Sequence, residues 1–297
     1  MSAPIVVGFD GSTSARAAVQ CGAGEAVLRG CELRLVHAFN WPLIYPPFGS
    51  EYDPHDHGPR VTMLNLLKVM ARDVQLNHPG LAVDTRLVDG PPGGVLVAAS
   101  SDAAMVVVGH RGMGGFTGLL AGSVGVQVTG HAHCPAVVVR GEPTTTGGWP
   151  TNAPIVLGFD GSPSAETAAD AAFAQAQRWG VDLLVVHHHP PHTARVQAEA
   201  AVAGHYPPPC TTDEFAARLG VAAASYGEVK YRTEVVHGDS PATALIAAAR
   251  SVRAGLLVVG ARGVGGFRGL VMGSTSRSLV EHAPCPTMVI PPGVHPT

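Results

Sequence analysis

The fold is decided by the stretch Gly109-His-Arg-Gly112-Met-Gly-Gly-Phe-Thr-Gly-Leu-Leu-Ala-Gly122-Ser123, which carries six glycines in fifteen residues. A short apolar run at 104–108 precedes it and predicts a buried parallel strand. Ser123 is of a type that caps helices. A strand, a glycine loop and a helix N-terminus together let backbone N–H groups face an anion, and the helix dipole adds to the attraction. The sequence therefore predicts a phosphate-binding loop.

The same arrangement returns in the second half of the chain. Gly260 and Gly263 follow the apolar run 256–259, and Gly273 and Ser274 come after a further nine residues, so both copies read G-x2-G-x9-G-S. A single loop of this kind is most often an ordinary strand-to-helix turn. Turn chemistry alone does not fix a nine-residue gap between particular glycines, and the identical spacing in two copies therefore favours phosphate binding.

Composition limits the classes of protein to consider. The chain has 297 residues, of which 46% are hydrophobic and 14% charged, with a net charge of −3 and no basic block. This predicts about two domains and argues against nucleic-acid binding. The apolar runs are too short for a membrane span of ~20 residues. Five cysteines without a Cys-x-x-Cys pair, and an N-terminus without a signal peptide, lead us to expect a reduced, cytoplasmic protein.

An internal repeat divides the chain. The segment 4–12 reappears almost unchanged as 154–162, and the segment between the halves is rich in Gly, Thr and Pro. We therefore predict one domain at 1–142, a linker at 143–152 and a second domain of the same fold at 153–297.

Each half alternates strand and helix as β-α-β-α-β-α-β-α-β, which predicts an α/β fold with a parallel sheet covered by helices. Ligands of such sheets bind beyond the carboxyl ends of the strands, where the strand order reverses. One segment is ambiguous, because Val124-Gly-Val-Gln-Val128 alternates like a strand. Its counterpart at 275–282 has a helical pattern, and we interpret both segments as helices.

On these motifs the chain resembles the universal stress protein family in its tandem form, over nearly its whole length. The G-x2-G-x9-G-[ST] pattern is the ATP-binding signature of that family. The resemblance implies two tandem domains, each a five-stranded parallel sheet in the order 3-2-1-4-5, and one ATP in each domain. It also implies that the last strands of the two halves, 136–139 and 287–290, pair with each other, and that the protein forms a homodimer.

The resemblance implies specific roles for residues of each half. Asp10 and Asp160 would lie by the ribose, and backbone groups of Ala38 and His188 would meet adenine. The loop and the following serine would hold the phosphates, Arg111 and Arg262 suit their charge, and the serine hydroxyls could reach Mg²⁺. The alternative for the aspartates is a simple turn role. The predicted ATP-binding residues are Gly8, Asp10, Ala38, Gly109, Arg111, Gly112, Met113, Gly114, Gly115, Gly122, Ser123 and Val124, and Gly158, Asp160, His188, Gly260, Arg262, Gly263, Val264, Gly265, Gly266, Gly273, Ser274 and Thr275.

A histidine cluster, His187-His-His-Pro-Pro-His192, is the main departure of the second half. The ring of His188 could crowd or stack on adenine. Only His187 and His189 would share a face of a strand, and no carboxylate or cysteine accompanies them. We therefore interpret the cluster as a solvated loop rather than a zinc site.

The repeated features predict binding rather than catalysis. The chain has no Gly-Lys-[Ser/Thr] and no Gly-x-Ser-x-Gly. His110 could act as a base in the first loop, but Ala261 takes its place in the second. Slow ATP hydrolysis is one alternative, and a scaffold that keeps the fold and binds protein partners without ATP is another.

Overall fold

The computed structural model describes residues 2–39, 58–112, 122–140, 149, 151–189, 212–238, 240–263, 272–291 and 293–294. The long segment predicted as a loop at 39–60 lies largely outside these residues. The same holds for six predicted site residues, and the outcome of their prediction stays open: Met113, Gly114, Gly115, Val264, Gly265 and Gly266.

The first half contains five strands and four helices among its described residues. They are β1 (Ile5–Gly8), α1 (Thr13–Arg29), β2 (Leu33–Phe39), α2 (Gly58–Asn77), β3 (Val83–Asp89), α3 (Pro92–Ala99), β4 (Met105–Gly109), α4 (Ser123–His131) and β5 (Ala136–Val139). Helix α1 begins after Ser12, whose hydroxyl accepts the N–H of Ala15, and ends at Gly30 in the left-handed conformation, as predicted.

The second half repeats this order in its described residues. They form β6 (Ile155–Gly158), α5 (Pro163–Trp179), β7 (Leu183–His189), α6 (Thr212–Ser225), β8 (Tyr231–His237), α7 (Pro241–Ser251), β9 (Leu256–Gly260), α8 (Ser274–His282) and β10 (Thr287–Ile290). The alternation of strand and helix that the sequence predicted is therefore confirmed in both halves.

All ten strands belong to one sheet, in the order β3-β2-β1-β4-β5-β10-β9-β6-β7-β8. Within each half the order is 3-2-1-4-5 and the neighbouring strands are parallel. The α/β class is confirmed. The difference from the prediction is one of detail, because the two halves share a single continuous sheet instead of having one sheet each.

The two halves meet along their last strands. Strands β5 and β10 pair antiparallel, with Val137 opposite Met288, and these strands are buried. The predicted pairing between domains is thus confirmed. Its physical reason is that an open strand edge exposes unpaired N–H and C=O groups, which the other half satisfies here.

Helices cover both faces of the sheet. Ile5 and Val7 belong to the core cluster beneath α1, α2, α5 and α6, whereas Val6 belongs to the opposite cluster beneath α3, α4, α7 and α8. Because the inner strands β1, β4, β5, β6, β9 and β10 are buried on both faces, they read as continuous apolar runs in the sequence, whereas the outer strands β3 and β8 are partly exposed and contain charged residues. Among the described residues, no helix combines the length and apolarity that a membrane crossing requires.

The ambiguous segment 124–128 is helical, as predicted from its counterpart. It lies in α4, whose Val128 is fully buried and whose Gly125 faces Val138 of β5. Packing against the sheet outweighs the β-propensity of its valines.

The segment predicted as a linker also makes a packing contact. Trp149 is buried, and its ring lies 5.3 Å from that of Trp179.

Candidate functional site

The candidate site of the first half lies beyond the carboxyl ends of β1 and β4. These strands are parallel neighbours, while β2 lies on the other side of β1, so the strand order reverses between them. The segment after β1 contains Asp10, and the segment after β4 begins the glycine loop. The predicted crevice is present, and β6 and β9 form the same arrangement in the second half.

Two serines of α1 bind the start of the glycine loop. The Ser12 hydroxyl donates to the carbonyl of Arg111 at 3.4 Å, and the Arg111 N–H donates to Ser14 Oγ at 3.3 Å. In the second half, Arg262 makes both contacts with Ser162 and Ser164 at 3.5 Å. From the sequence alone, Ser12 or Ser14 is expected only to cap the first helix. The signal for their second role was the repeated Gly-Ser-x-Ser at 11–14 and 161–164.

Replacing Ser12 with alanine is expected to lower the free energy of unfolding by about 1 kcal/mol, because α1 loses its cap. The measurement is urea unfolding of the full chain. The control is Ser101→Ala, which removes an exposed hydroxyl bonded to the carbonyl of Ala98. Equal losses in the two variants would contradict the role of Ser12.

The first two glycines of each loop are required by packing within the protein. A Cβ on Gly109 would lie 2.5 Å from Ser14 Oγ and 2.6 Å from the Ser14 carbonyl carbon, and one on Gly112 would lie 2.6 Å from Asp10 Oδ2. We expected phosphate to occupy the space that these glycines leave. In the structure, α1 and the aspartate occupy it.

Gly8 and Gly158 have a similar explanation. A Cβ on Gly8 would lie 2.8 Å from Leu96 of α3, and one on Gly158 would lie 2.9 Å from Leu245 of α7. Both glycines therefore allow a helix to pack closely on the end of a strand.

The third glycine of each loop is different. Gly122 and Gly273 are the N-cap residues of α4 and α8, with ordinary φ values of −71° and −72°. A Cβ on Gly122 would lie 3.4 Å from the carbonyl oxygen of His110, which is an ordinary contact, and one on Gly273 would also be accommodated. Among the described residues, no packing contact explains the absence of a side chain here.

The two helices consequently begin without a side-chain cap. Our expectation that Ser123 caps its helix is wrong, because Ser123 and Ser274 are the first helical residues and glycine occupies the cap position. N-cap positions favour Ser, Thr, Asp and Asn because their oxygens accept the first N–H groups. With glycine there, those N–H groups face the loop, and an anion can accept from them.

Asp10 and Asp160 combine a turn role with exposure to the crevice. Asp10 Oδ1 accepts the N–H of Ser12 at 3.0 Å, and Asp160 does the same with Ser162. The simple turn role is therefore real. The second oxygen of each carboxylate, Oδ2, is the atom nearest to the loop glycine Gly112 or Gly263.

Strand β2 extends beyond the end of β1. Their pairing stops at Gly8 and Val36, and the Val36 carbonyl still accepts the N–H of Phe9. Backbone groups two residues apart on a strand point the same way. The N–H and C=O of Ala38 therefore point past the end of β1 into the crevice, and the matching register of β6 and β7 gives His188 the same orientation.

Two histidines, His37 and His187, hold these strand ends, which is a role that the sequence did not predict for either. His37 Nδ1 donates to the carbonyl of Phe9 at 2.8 Å, and His187 Nδ1 donates to that of Phe159 at 2.8 Å. These two histidines occupy equivalent positions in the repeat, and this equivalence was the sequence signal that could have identified them. Each imidazole thus ties its own strand to the backbone just after the neighbouring strand, and so fixes the edge of the crevice.

The histidine cluster belongs to a strand rather than a solvated loop, which corrects our interpretation for its first three members. His187 is buried in β7, and its ring lies 4.7 Å from that of His189, so these two share a face as predicted. The ring of His188 donates from Nε2 to the carbonyl of Gly238 at 2.7 Å. Within the described ranges, no three His, Cys, Asp or Glu side chains form a group that could hold a metal ion.

His110 gives the first site a group that the second lacks. Its Nδ1 lies 3.0 Å from Ser14 Oγ, whereas Ala261 occupies this position in the second half. Burial lowers the pKa of the His110 imidazole, and the positive charges of Arg140 and Arg111 lower it further. The imidazole is consequently neutral at pH 7.

Arg140 connects the surroundings of His110 to the other half of the chain. It follows β5, and its Nη1 donates to the carbonyl of Val280 at 3.1 Å and to that of Glu281, at the C-terminus of α8. A cation at that end of a helix is favourable. Burial raises the pKa of Cys21, Cys134 and Cys285 to about 12, so these thiols stay protonated.

These observations define the class of protein. It is a duplicated, doubly wound α/β protein in which each half has a crevice at the strand reversal, formed by a carboxylate, a glycine loop and an uncapped helix. The sequence profile described as "Universal stress protein family" matches residues 1–140 and again residues 151–291. The chain belongs to the universal stress protein family.

Relatives of known family share its tandem organisation. A universal stress protein of Mycobacterium tuberculosis is 35% identical over 292 residues, which cover 96% of this chain and 95% of the relative. One of Mycolicibacterium smegmatis is 33% identical, with 97% of each chain covered. Among solved structures, a universal stress protein of Archaeoglobus fulgidus has a similar fold, with a TM-score of 0.70, 19% identity and 98% of each chain covered.

Proposed function

We propose that this universal stress protein binds one ATP in each half, and that the bound nucleotide makes it a regulator in a cytoplasmic stress response. The observation that carries the proposal is the repeated glycine N-cap. Both halves leave the first N–H groups of a helix without a side-chain acceptor, beside a crevice where the strand order reverses. A bound phosphate supplies the missing acceptor.

The remaining parts of the site fit a nucleotide. The N–H and C=O of Ala38 form a donor and acceptor pair at a strand end, as adenine requires, and the Asp10 carboxylate is an acceptor for ribose hydroxyls. The exposed Arg111 adds positive charge near the phosphates. The exposed hydroxyl of Ser123 is available to Mg²⁺ on those phosphates.

The second half offers an equivalent set, with one difference. The backbone of His188 takes the place of Ala38, and the His188 ring binds Gly238 instead of extending freely. The His188 ring is thus held on the side of β8 instead of crowding adenine, and this supports adenine binding at the second site too. Asp160, Arg262 and Ser274 correspond to the groups named for the first site.

The direct test is the nucleotide content of the purified chain. We expect that denaturing the protein releases adenine nucleotide, and that the nucleotide-free protein binds two ATP per chain in calorimetry. A chain that neither retains nor binds ATP would refute the proposal and favour the scaffold alternative.

Each site has its own test variant. Gly112→Ala adds a Cβ against Asp10 Oδ2, and the carboxylate, which is held by the Ser12 N–H, must rotate away. We expect about tenfold weaker ATP binding at the first site, equivalent to loss of one hydrogen bond of ~1.4 kcal/mol, and unchanged binding at the second. Gly263→Ala should show the reverse pattern.

The control for these variants is Gly220→Ala in α6, where an added Cβ meets no atom within 4 Å. It should bind two ATP with unchanged affinities in the same titration. If Gly112→Ala weakens both sites equally, or neither, then the assignment of one independent site to each half is wrong.

Assembly beyond one chain stays a prediction. The halves already satisfy each other through β5 and β10, so a homodimer would use a different surface. Light scattering of the full chain would test this expectation, with a mass of two chains as the expected result and that of one chain, 30.4 kDa, as the contradicting one.

A further inference from the structure

We propose that the two ATP sites are functionally unequal: the first hydrolyses its ATP with His110 as the general base and Ser14 as the residue that positions it, and the second only holds ATP. This inference rests on the proposed ATP binding. It starts from a hydrogen-bonded pair, Ser14 and His110, that has no counterpart among the described residues of the second half.

Ser14 orients the His110 imidazole. Ser14 Oγ accepts the Arg111 N–H and lies 3.0 Å from His110 Nδ1. In the tautomer with the proton on Nδ1, the hydroxyl oxygen accepts both N–H groups with its two lone pairs. The lone pair on Nε2 is then available to take a proton, and the ring cannot turn without breaking the contact with Ser14.

The position of His110 relates it to the phosphate end of the site. Its carbonyl oxygen accepts the N–H of Gly122 at 2.8 Å, so His110 lies next to the residue that begins α4. Burial lowers the pKa of the His110 imidazole most, followed by the charges of Arg140 after β5 and Arg111 on its own loop, while a hydrogen bond with the Val139 backbone opposes the shift; the net lowering favours the neutral imidazole. A neutral imidazole is the form that a general base requires.

The second half has the same framework without the base. The N–H of Gly273 donates to the Ala261 carbonyl at 2.8 Å, and the Ala261 N–H donates to Ile290 at 2.8 Å. These bonds match those of Gly122 and His110. Ser164 remains beside Arg262 but has no imidazole to orient. The second site can therefore hold phosphate by the same groups and lacks a side chain in this position that accepts a proton.

The reaction consumes water. The oxygen of a water molecule forms a bond to the γ-phosphorus while the bond from that phosphorus to the bridging oxygen breaks. The bonding electron pair leaves with ADP, and the proton of the water passes to His110 Nε2 and then to solvent. The products are ADP, phosphate and one proton, and no oxidant or further reactant is needed.

The test is a single-turnover experiment on the full chain. Protein loaded with ATP and Mg²⁺ is separated from free nucleotide, and bound ATP and ADP are measured over time. We expect one of the two ATP to become ADP while the other persists. The rate should rise with pH as the His110 imidazole loses its proton, and should level off once the imidazole is neutral.

Two variants separate the base from the residue that positions it. His110→Ala should lower the rate constant about 100-fold and remove the pH dependence, while two ATP stay bound. Ser14→Ala should lower it about tenfold, also with two ATP bound, whereas a merely structural role would reduce occupancy instead. The control is His131→Ala, an exposed histidine at the other end of α4, which should match the unmodified protein.

The outcomes distinguish this inference from the proposed function. If no ATP is bound, the proposed function itself is wrong. If two ATP are bound and both are hydrolysed at the same rate, or neither is, the inequality of the sites is wrong. If only one is hydrolysed but His110→Ala keeps the rate, His110 is not the base.

Discussion

Replacing Gly122 with serine is expected to stabilise the ligand-free protein and to weaken its binding of ATP. Serine at the N-cap accepts one of the first N–H groups of α4, which glycine leaves without a side-chain acceptor. The gain in unfolding free energy should be a few tenths of a kcal/mol. The same hydroxyl competes with the phosphate, and loss of one charge-assisted hydrogen bond should weaken ATP binding about 10- to 100-fold.

Stability and ATP affinity are expected to change in opposite directions, and this makes the variant a discriminating test. A variant that merely disturbs the fold would lower both the stability and the affinity. Gly122→Ala is the matched control, since it adds the carbon without the capping oxygen and should not stabilise α4. Thermal unfolding without nucleotide and calorimetric titration with ATP measure the two effects. Stabilisation with unchanged ATP affinity would show that phosphate does not bind at this helix.

Gly273→Ser repeats the test in the second half. Gly273 has the same cap position and the same backbone conformation, and a Cβ there would lie 3.5 Å from the carbonyl of Ala261. We expect the affinity of the second site to fall by a similar factor and that of the first to stay unchanged. A chain with both serines should be the most stable ligand-free variant and the weakest binder.

The fold could be predicted from the sequence because its signals are local and repeated. The boundaries of α1 follow from Ser12 and Gly30, and the buried strands read as apolar runs. Where local propensity misled, as in α4, the second copy of the repeat corrected it. The order of strands within each half and the pairing of the last strands of the two halves came from the family resemblance.

The position of the site could be predicted from the sequence, but the physical reasons for its glycines could not. The spacing of the glycines indicated a loop that approaches phosphate. It could not show that Gly109 is required by Ser14 and Gly112 by Asp10, because these contacts join residues about a hundred positions apart. Only the third glycine of each loop has no packing contact among the described residues that explains the absence of a side chain. The sequence also assigned the capping role to Ser123, one residue too late, since the hydroxyl type matched and the exact boundary was not visible.

Side-chain contacts between the helices of the two halves, in contrast to the pairing of their last strands, could not be predicted from the sequence. Glu25 and Gln175 occupy equivalent positions, 150 residues apart, and nothing local indicates that they touch. In the structure Glu25 is fully buried, and its Oε2 accepts the side-chain amide of Gln175 at 2.9 Å. The pseudo-twofold arrangement of α1 and α5 therefore brings a carboxylate and an amide together, where two identical domains would bring together two identical side chains.

Further polar groups complete the surroundings of Glu25. Its Oε1 lies 2.6 Å from Arg29 Nε on the next turn of α1, and Arg178 Nη1 is 3.9 Å away. The indole N–H of Trp179 donates to Oε2 at 3.4 Å. Burial lowers the pKa of Arg178, as does the charge of Arg29, while Glu25 opposes that shift. The single buried carboxylate thus compensates two guanidinium groups at the contact between the halves.

Glu25→Ala is expected to be the most destabilising of the substitutions considered, with a loss of about 3–5 kcal/mol in unfolding free energy, because removing one member of a buried ionic cluster leaves the others without compensation. Urea unfolding of the full chain measures this loss. The matched control is Glu234→Ala, which breaks an exposed ion pair with Arg232 on β8 and should cost only about 0.5 kcal/mol or less. Glu25→Gln retains an acceptor for Arg29 and should fall between the two. Since the cluster joins α1 to α5, we expect the transition of Glu25→Ala to broaden as the halves unfold separately. A loss no larger than that of Glu234→Ala would mean that this ionic cluster does not hold the halves together.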